Sequence, residues 1–257
     1  MNRNLLRMAW PAVCLALLLT FAGCRQRYHV SDFDIDRIPV GVSLDSADYE
    51  AMTALLTPYR HGVDSMMTRV VGRADMSMDN RKPEGLLQNL VADVLRLSAE
   101  PILGKPADMG LVNLGGLRSN LNEGIITCAN IYEILPFENS LCVLTLQGAR
   151  LRELLTAIAA RGGEGVSGVR IVISPDGQLL SASIGGKPID ETASYTIATI
   201  DYLAEGNSDM TALTYATERI CPEGATLRGL FMDYVEHETE AGRTITSRIE
   251  GRITIAQ

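Results

Sequence analysis

The chain has 257 residues, of which 46% are hydrophobic and 21% charged. That is enough apolar mass to bury one core of about 200 residues, and it excludes a disordered or fibrous chain. A formal charge of −8 argues against a nucleic-acid polymer as partner. It leaves open one small anion held by a few local arginines, because a short-range site is decided by its own donors.

The N-terminus reads apart from the rest. Arg3 and Arg7 form a basic start, Met8 to Phe21 is an almost uncharged apolar run, and Phe21-Ala22-Gly23 leads into Cys24. Such a run is shorter than the roughly 20 residues that span a bilayer, so residues 1–23 are expected to be a secretory signal. Its end resembles a lipobox, in which a peptidase cuts before Cys24 and the sulfur carries a lipid anchor. The alternative is an uncleaved anchor helix. Cleavage would move the formal charge from −8 to −10, because Arg3 and Arg7 leave with the signal. Residues 24–45 are polar and charged at first and are expected to tether the lipid to one domain over 46–257. The implied location is the cell envelope, lipid-anchored to a bacterial membrane.

From Tyr49 onward, Met52, Leu55, Leu56, Tyr59, Val63, Met66, Met67 and Val70 fall at helical spacing, with Pro58 expected to kink or interrupt the helix. A short strand is predicted within Val70 to Met78. Leu86, Leu87, Leu90, Val91, Val94 and Leu95 mark a second helix, and Met109 to Val112 a strand leading into the loop Asn113-Leu114-Gly115-Gly116. Ser140 to Leu146 reads as a strand, and Gly148 breaks it before a helix bearing Leu151, Leu154, Leu155 and Ile158. Val169 to Ile173 and Leu179 to Ile184 flank Pro175-Asp176-Gly177, a hairpin signal. Tyr195 to Ile200 is a further strand, Asp201 to Met210 a polar loop, Leu227 to Val235 a helix and Arg252 to Ile255 a closing strand. Helices and strands without strict alternation predict an α+β, or mixed-sheet α/β, domain. Cys128, Cys142 and Cys221 are three, match no zinc spacing and lie in or beside apolar runs; buried thiols are expected.

On their own, the chemical signals are modest. The turn Asn113 to Arg118 can offer backbone N–H groups and a guanidinium to an oxyanion, although most Gly-Gly turns only reverse the chain. Pro136-Phe137-Glu138-Asn139 sets an aromatic beside a proline turn, which is usually core or a turn lid. Asp32, Asp34 and Asp36 alternate as in a calcium loop but lack its glycine and terminal glutamate, so they read as solvated charge. His29, His61 and His237 read as tether and exposed helix positions.

The order of the segments carries more. Arg81, Glu84, Asn89, Leu90 and Asp93 come first, followed by Asn113 with its Gly-Gly-Leu-Arg turn and by Gly124 to Thr127. Tyr132 to Asn139, Leu144 to Gly148, Ser167-Gly168-Val169, Tyr195 to Thr199 and Asp201 to Ala204 complete a series that resembles the C-terminal domain of 5′-nucleotidases. The resemblance covers roughly Ser46 to Gln257. It implies a pocket in which Arg81 and Arg118 face the ribose and phosphate of a nucleoside monophosphate or related phosphoester, with Asn113, Gly115 and Gly116 beside them. Phe137 and Tyr202 would sandwich the base, and Asn139 would lie near its edge. Stacking of this kind contributes about 1–3 kcal/mol per base. Two positions depart from the family pattern: Tyr202 stands where phenylalanine is usual, and the acid of the following segment, Asp209, is displaced by one.

The resemblance also implies what lies elsewhere. Family members join this domain to a metallophosphoesterase domain with two metal ions, and such a site needs several convergent imidazoles and carboxylates. This chain has three scattered histidines and none of the Asp-x-His, Asn-His-Glu/Asp or His-x-His motifs. The expectation is a substrate-binding half with no catalytic residue and no metal or other cofactor of its own, inactive alone, working with a separate metallophosphoesterase chain that carries the divalent metals. The alternatives are a nucleotide or nucleoside capture protein on the cell surface and a relic domain used for envelope contacts.

Overall fold

The computed structural model describes residues 32–37 and 50–256. The chain divides into two units, residues 1–53 and 54–257. Asp32–Arg37 is exposed and without regular structure, as expected of solvated charge. The signal, Cys24 and most of the tether lie outside the described residues.

The first helix, α1, runs Glu50–Met67 without a break. Pro58 removes one rung of its hydrogen-bond ladder without ending it, so of the kink or interruption expected there the interruption does not occur. None of its residues is buried.

The remaining elements build three sheets. In chain order they are β1 (Val70–Ala74), α2 (Leu86–Leu97), α3 (Glu100–Leu103), β2 (Met109–Val112), β3 (Gly124–Thr127), α4 (Cys128–Ile134), β4 (Leu141–Gln147) and α5 (Gly148–Ala160). They continue as β5 (Gly165–Ser167), β6 (Val169–Ile173), β7 (Leu179–Ile184), β8 (Lys187–Pro188), β9 (Ser194–Ile200), α6 (Asp201–Ala204), β10 (Glu218–Ile220), α7 (Leu227–Glu240) and β11 (Ile253–Ile255). The central sheet has the order β10-β4-β9-β2-β5; β6, β7, β8 and β11 form a second sheet, and β1 with β3 a two-stranded ribbon. Parallel and antiparallel pairs coexist, which makes the domain α+β as its sequence pattern implied.

The core follows from the periodicities. Helix α2 buries Leu87, Leu90, Val91, Val94 and Leu95 and lies on β2 and β5. That contact is close: a Cβ on Gly110 of β2 would stand 2.3 Å from the Ala92 carbonyl oxygen of α2, so only glycine fits. Phe231 of α7 is fully buried, and α7 packs on β1, α2 and α4.

Strand β9 sets the arrangement of the central sheet. It pairs antiparallel with β4 from Leu141↔Ile200 to Gln147↔Ser194, and parallel with β2 through Met109↔Ile197 and Gly110↔Ala198. Asp108, just before β2, locks the parallel pair by accepting the Thr196 N–H at 2.8 Å and the Thr196 hydroxyl at 2.9 Å. Partial burial pushes the Asp108 carboxyl up. The Thr196 donors and Lys105 outweigh that effect and hold it below its ordinary value.

The cysteines differ from the reading as three thiols. Cys128 is buried and free, whereas Cys142 and Cys221 form a disulfide. Composition could not show the pairing, because it follows from strand register. Strand β10 pairs with β4 through Ile220↔Val143, which sets Cys221 directly across from Cys142 over a separation of 79 residues.

Two outcomes follow. Replacing Cys142 and Cys221 by serine lowers the unfolding free energy by about 2–4 kcal/mol, because the unfolded chain regains a long loop. Urea titrations of the two proteins under non-reducing conditions measure the difference. Asp108 contributes stability that is complete above its unfolded-state pKa of about 3.9 and is lost as pH falls through its lower folded-state value. Urea midpoints followed downward from pH 7 therefore decline in acid, and Asp108→Ala flattens part of that decline.

Candidate ligand-binding site

The sheet register gathers distant segments at one edge. The C-terminal ends of β2 and β9 lie beside the N-terminal ends of β4 and β5, because Val112 pairs with Gly165 and Leu141 with Ile200. Four segments therefore emerge together: Asn113–Gly116 after β2, Pro136–Asn139 before β4, Arg161–Glu164 before β5, and Tyr202 in α6 after β9. They enclose a cavity of about 320 Å³, near the lower end of the usual range of small-molecule sites.

Asn113, Gly115 and Gly116 line one side of it. The three residues Leu114–Gly116 form a single 3-10 turn, closed by the Gly116 N–H donating to the Asn113 carbonyl at 3.0 Å. Asn113 is buried, and among the described residues its Oδ1 has no hydrogen-bond partner. A buried acceptor left unmatched costs about 1–3 kcal/mol, so a polar group belongs against it. A Cβ on Gly116 would come 3.3 Å from that same oxygen.

Phe137 and Tyr202 line the cavity while remaining 49% and 42% exposed. Large rings left in this state are available to stack on a flat ligand. The Phe137 turn is held from behind by Arg228 of α7, itself buried. Its guanidinium donates to the Leu135 carbonyl at 3.1 Å and the Pro136 carbonyl at 3.2 Å, pairs with Glu138 and lies over the Tyr132 ring at 4.2 Å. The Tyr202 carbonyl accepts from the Asn207 side chain at 2.8 Å, which ties α6 to the loop that follows. Asn139 completes this side of the cavity.

Arg161 and Ser208 also line it, and neither was singled out by sequence. Arg161 donates from Nε to Glu164 at 2.7 Å and from Nη1 to Asp209 at 3.1 Å. The Glu164 side chain is 1% exposed. Its other oxygen accepts the Leu114 N–H at 2.6 Å, so one buried carboxylate holds both the arginine and the glycine turn. An arginine after a helix and a glutamate among glycines carry no strong sequence signal; the bond from Glu164 to the Leu114 N–H forms only once β5 is placed beside β2.

The remaining expected residues stand around the cavity and do not line it. Arg118 is exposed and donates to the Gly115 carbonyl at 3.3 Å, on the rim. Arg81 is exposed and lies 3.6 Å from Asp79. Its loop reaches the same rim: the Asn80 side chain donates to the Leu117 carbonyl at 3.0 Å, and Lys82 donates to the Arg161 carbonyl. Gly163, at φ +111°, permits this approach, since a Cβ there would meet the Pro83 carbonyl oxygen at 2.5 Å. Asp209 is 81% exposed and reaches the cavity through Arg161. Among the described residues no three His, Cys, Asp or Glu side chains gather as a metal-holding group. His61 and His237 are exposed.

Comparison with known proteins agrees with this architecture. Residues 67–215, more than half of the chain, match the family model "5′-nucleotidase, C-terminal domain". The trifunctional nucleotide phosphoesterase protein YfkN of Bacillus subtilis is 24% identical over 77% of this chain, which corresponds to 14% of that protein. The apyrase of Aedes aegypti is 29% identical over 70% of this chain and 35% of its own length. The crystal structure of a 5′-nucleotidase precursor from Thermus thermophilus superposes with a TM-score of 0.68 and 27% identity, over 82% of this chain and 44% of that one. The chain thus spans less than half the length of these relatives. It belongs to the 5′-nucleotidase family and contains that family's C-terminal domain.

Proposed function

We propose that the protein is a nucleotide-binding lipoprotein, the substrate-binding half of a split 5′-nucleotidase acting in nucleotide catabolism with a separately encoded metallophosphoesterase. The observation that carries this reading is the cavity itself. Two half-exposed rings, Phe137 and Tyr202, line it together with the unmatched Asn113 Oδ1 and the Asn139 side chain. Rings of this kind take the base of a nucleotide by stacking, which is tolerant of base identity, while the amides supply acceptors and donors for its polar edges. Arg118, beside the glycine turn, and Arg81, on the neighbouring loop, are assigned to the phosphate, since guanidinium forks match phosphate oxygens. A phosphate held at the rim is reachable by a second protein.

The hydrolytic metals are assigned to the partner. No metal-holding group occurs among the described residues, and the histidine motifs of a two-metal centre are missing from the sequence. Export is supported by the basic and apolar start ending at Cys24, and by the Cys142–Cys221 disulfide, a bond of oxidising compartments. The lipid on Cys24 then holds the protein to a membrane of the cell envelope.

Two measurements test the reading. In calorimetry, AMP and adenosine bind the full chain, and Phe137→Ala and Tyr202→Ala each weaken adenosine by about 1–3 kcal/mol; unchanged affinity in both variants refutes the stacking site. In phosphatase assays with divalent metals, the chain alone is silent, and adding a separately encoded metallophosphoesterase partner restores turnover. Activity from this chain alone refutes the split arrangement. Nucleotide binding without any phosphoesterase partner would instead mark a capture protein.

A further inference from the structure

A second cavity, of about 370 Å³, lies where α2, the β5–β6 corner, the end of β7 and the segment before β11 meet. It shares no lining residue with the cavity beside β9. Asp93, Arg96, Arg170, Glu250 and Arg252 supply its charge. Arg252 is buried, and its guanidinium takes up both acids, Asp93 at 2.7 Å and Glu250 at 2.9 Å. The other carboxylate oxygens are occupied as well: Asp93 accepts the Ser167 hydroxyl at 2.5 Å, and Glu250 accepts from Arg248 at 2.7 Å.

Arg96 and Arg170 are the surplus. Arg96 is half-buried and donates from Nε to the Ala107 carbonyl at 2.9 Å; Arg170 is exposed and donates from Nη1 to the Glu250 and Gly251 carbonyls. Among the described residues the remaining donors of both guanidiniums have no partner, and neither group meets a carboxylate. A cation drawn partly out of water without a counter-charge is costly, and here two of them face one cavity in a chain of formal charge −8. An anion in the cavity satisfies both.

We propose that this cavity is a second ligand site, for a phosphate group that is free or carried as a monoester. Each guanidinium fork pairs with two oxygens, so two forks on one ligand call for an anion with more than two. A carboxylate or a phosphodiester offers too few, whereas inorganic phosphate and a phosphomonoester offer enough. The site is independent of the stacking cavity and stands whether or not a nucleotide binds there.

Calorimetry on the full chain at low ionic strength, with inorganic phosphate and with glycerol 3-phosphate as probes, tests this. Arg118→Ala, which removes an arginine of the other cavity, still binds inorganic phosphate. Adding Arg96→Gln or Arg170→Gln weakens that binding about tenfold, the size of one charge-assisted hydrogen bond. Arg170 lies on the surface, so Arg170→Gln keeps its thermal midpoint and carries the test if loss of the Ala107 bond unfolds Arg96→Gln. Glycerol 3-phosphate binding with the same dependence on Arg170 marks a monoester as the ligand; its exclusion marks free phosphate. No phosphate binding by the unaltered chain overturns the proposal. So does binding that disappears in Arg118→Ala, or that is unchanged when Arg170→Gln is added to it.

Discussion

The domain depends on how β9 is held between β4 and β2. Its antiparallel neighbour begins where β9 ends, and its parallel neighbour ends on the same side, so the loops at that edge must meet. The Asp108–Thr196 pair adds side-chain hydrogen bonds that lock the parallel register. A slip of one residue would turn every side chain of β9 to the opposite face and carry Tyr202 away from Phe137. Register is therefore the condition for a site in this fold, and side-chain chemistry comes second.

Given that edge, the pocket is held by buried charge under an exposed surface. Glu164 and Arg228 touch the segments around the cavity from below, one through the Leu114 N–H and one through the Leu135 and Pro136 carbonyls. Both satisfy main-chain groups that an apolar side chain would leave unpaired in a buried place. The rings above them remain half-exposed.

Much of this was legible in the sequence. The apolar spacing of Leu87, Leu90, Val91, Val94 and Leu95 located α2, and the Pro175-Asp176-Gly177 turn located the β6–β7 hairpin, because both signals are local. The segments bearing Asn113, Gly115, Gly116, Phe137, Asn139 and Tyr202 were found by resemblance, and these residues line one cavity. Arg161, Glu164 and Arg228 carry no local signal for their roles, because Asp209, Leu114 and Leu135, which they bond, lie 48, 50 and 93 residues away and are brought near by strand order. The disulfide was missed for the same reason: Cys142 and Cys221 become opposite neighbours only when β10 joins β4. Pro58 shows the converse, a strong local signal that the helix overrode.

The clamp on the Phe137 turn originates in α7, a helix that itself takes no part in lining the cavity. Local stability in proteins is divided among cooperative segments, and a segment that opens releases whatever it was restraining. The last helix and the aromatic thus rise and fall together: any event that loosens α7, whether a distant substitution, a protease cut or a neighbouring protein leaning on its outer face, reaches the pocket as a loss of order at the Phe137 turn.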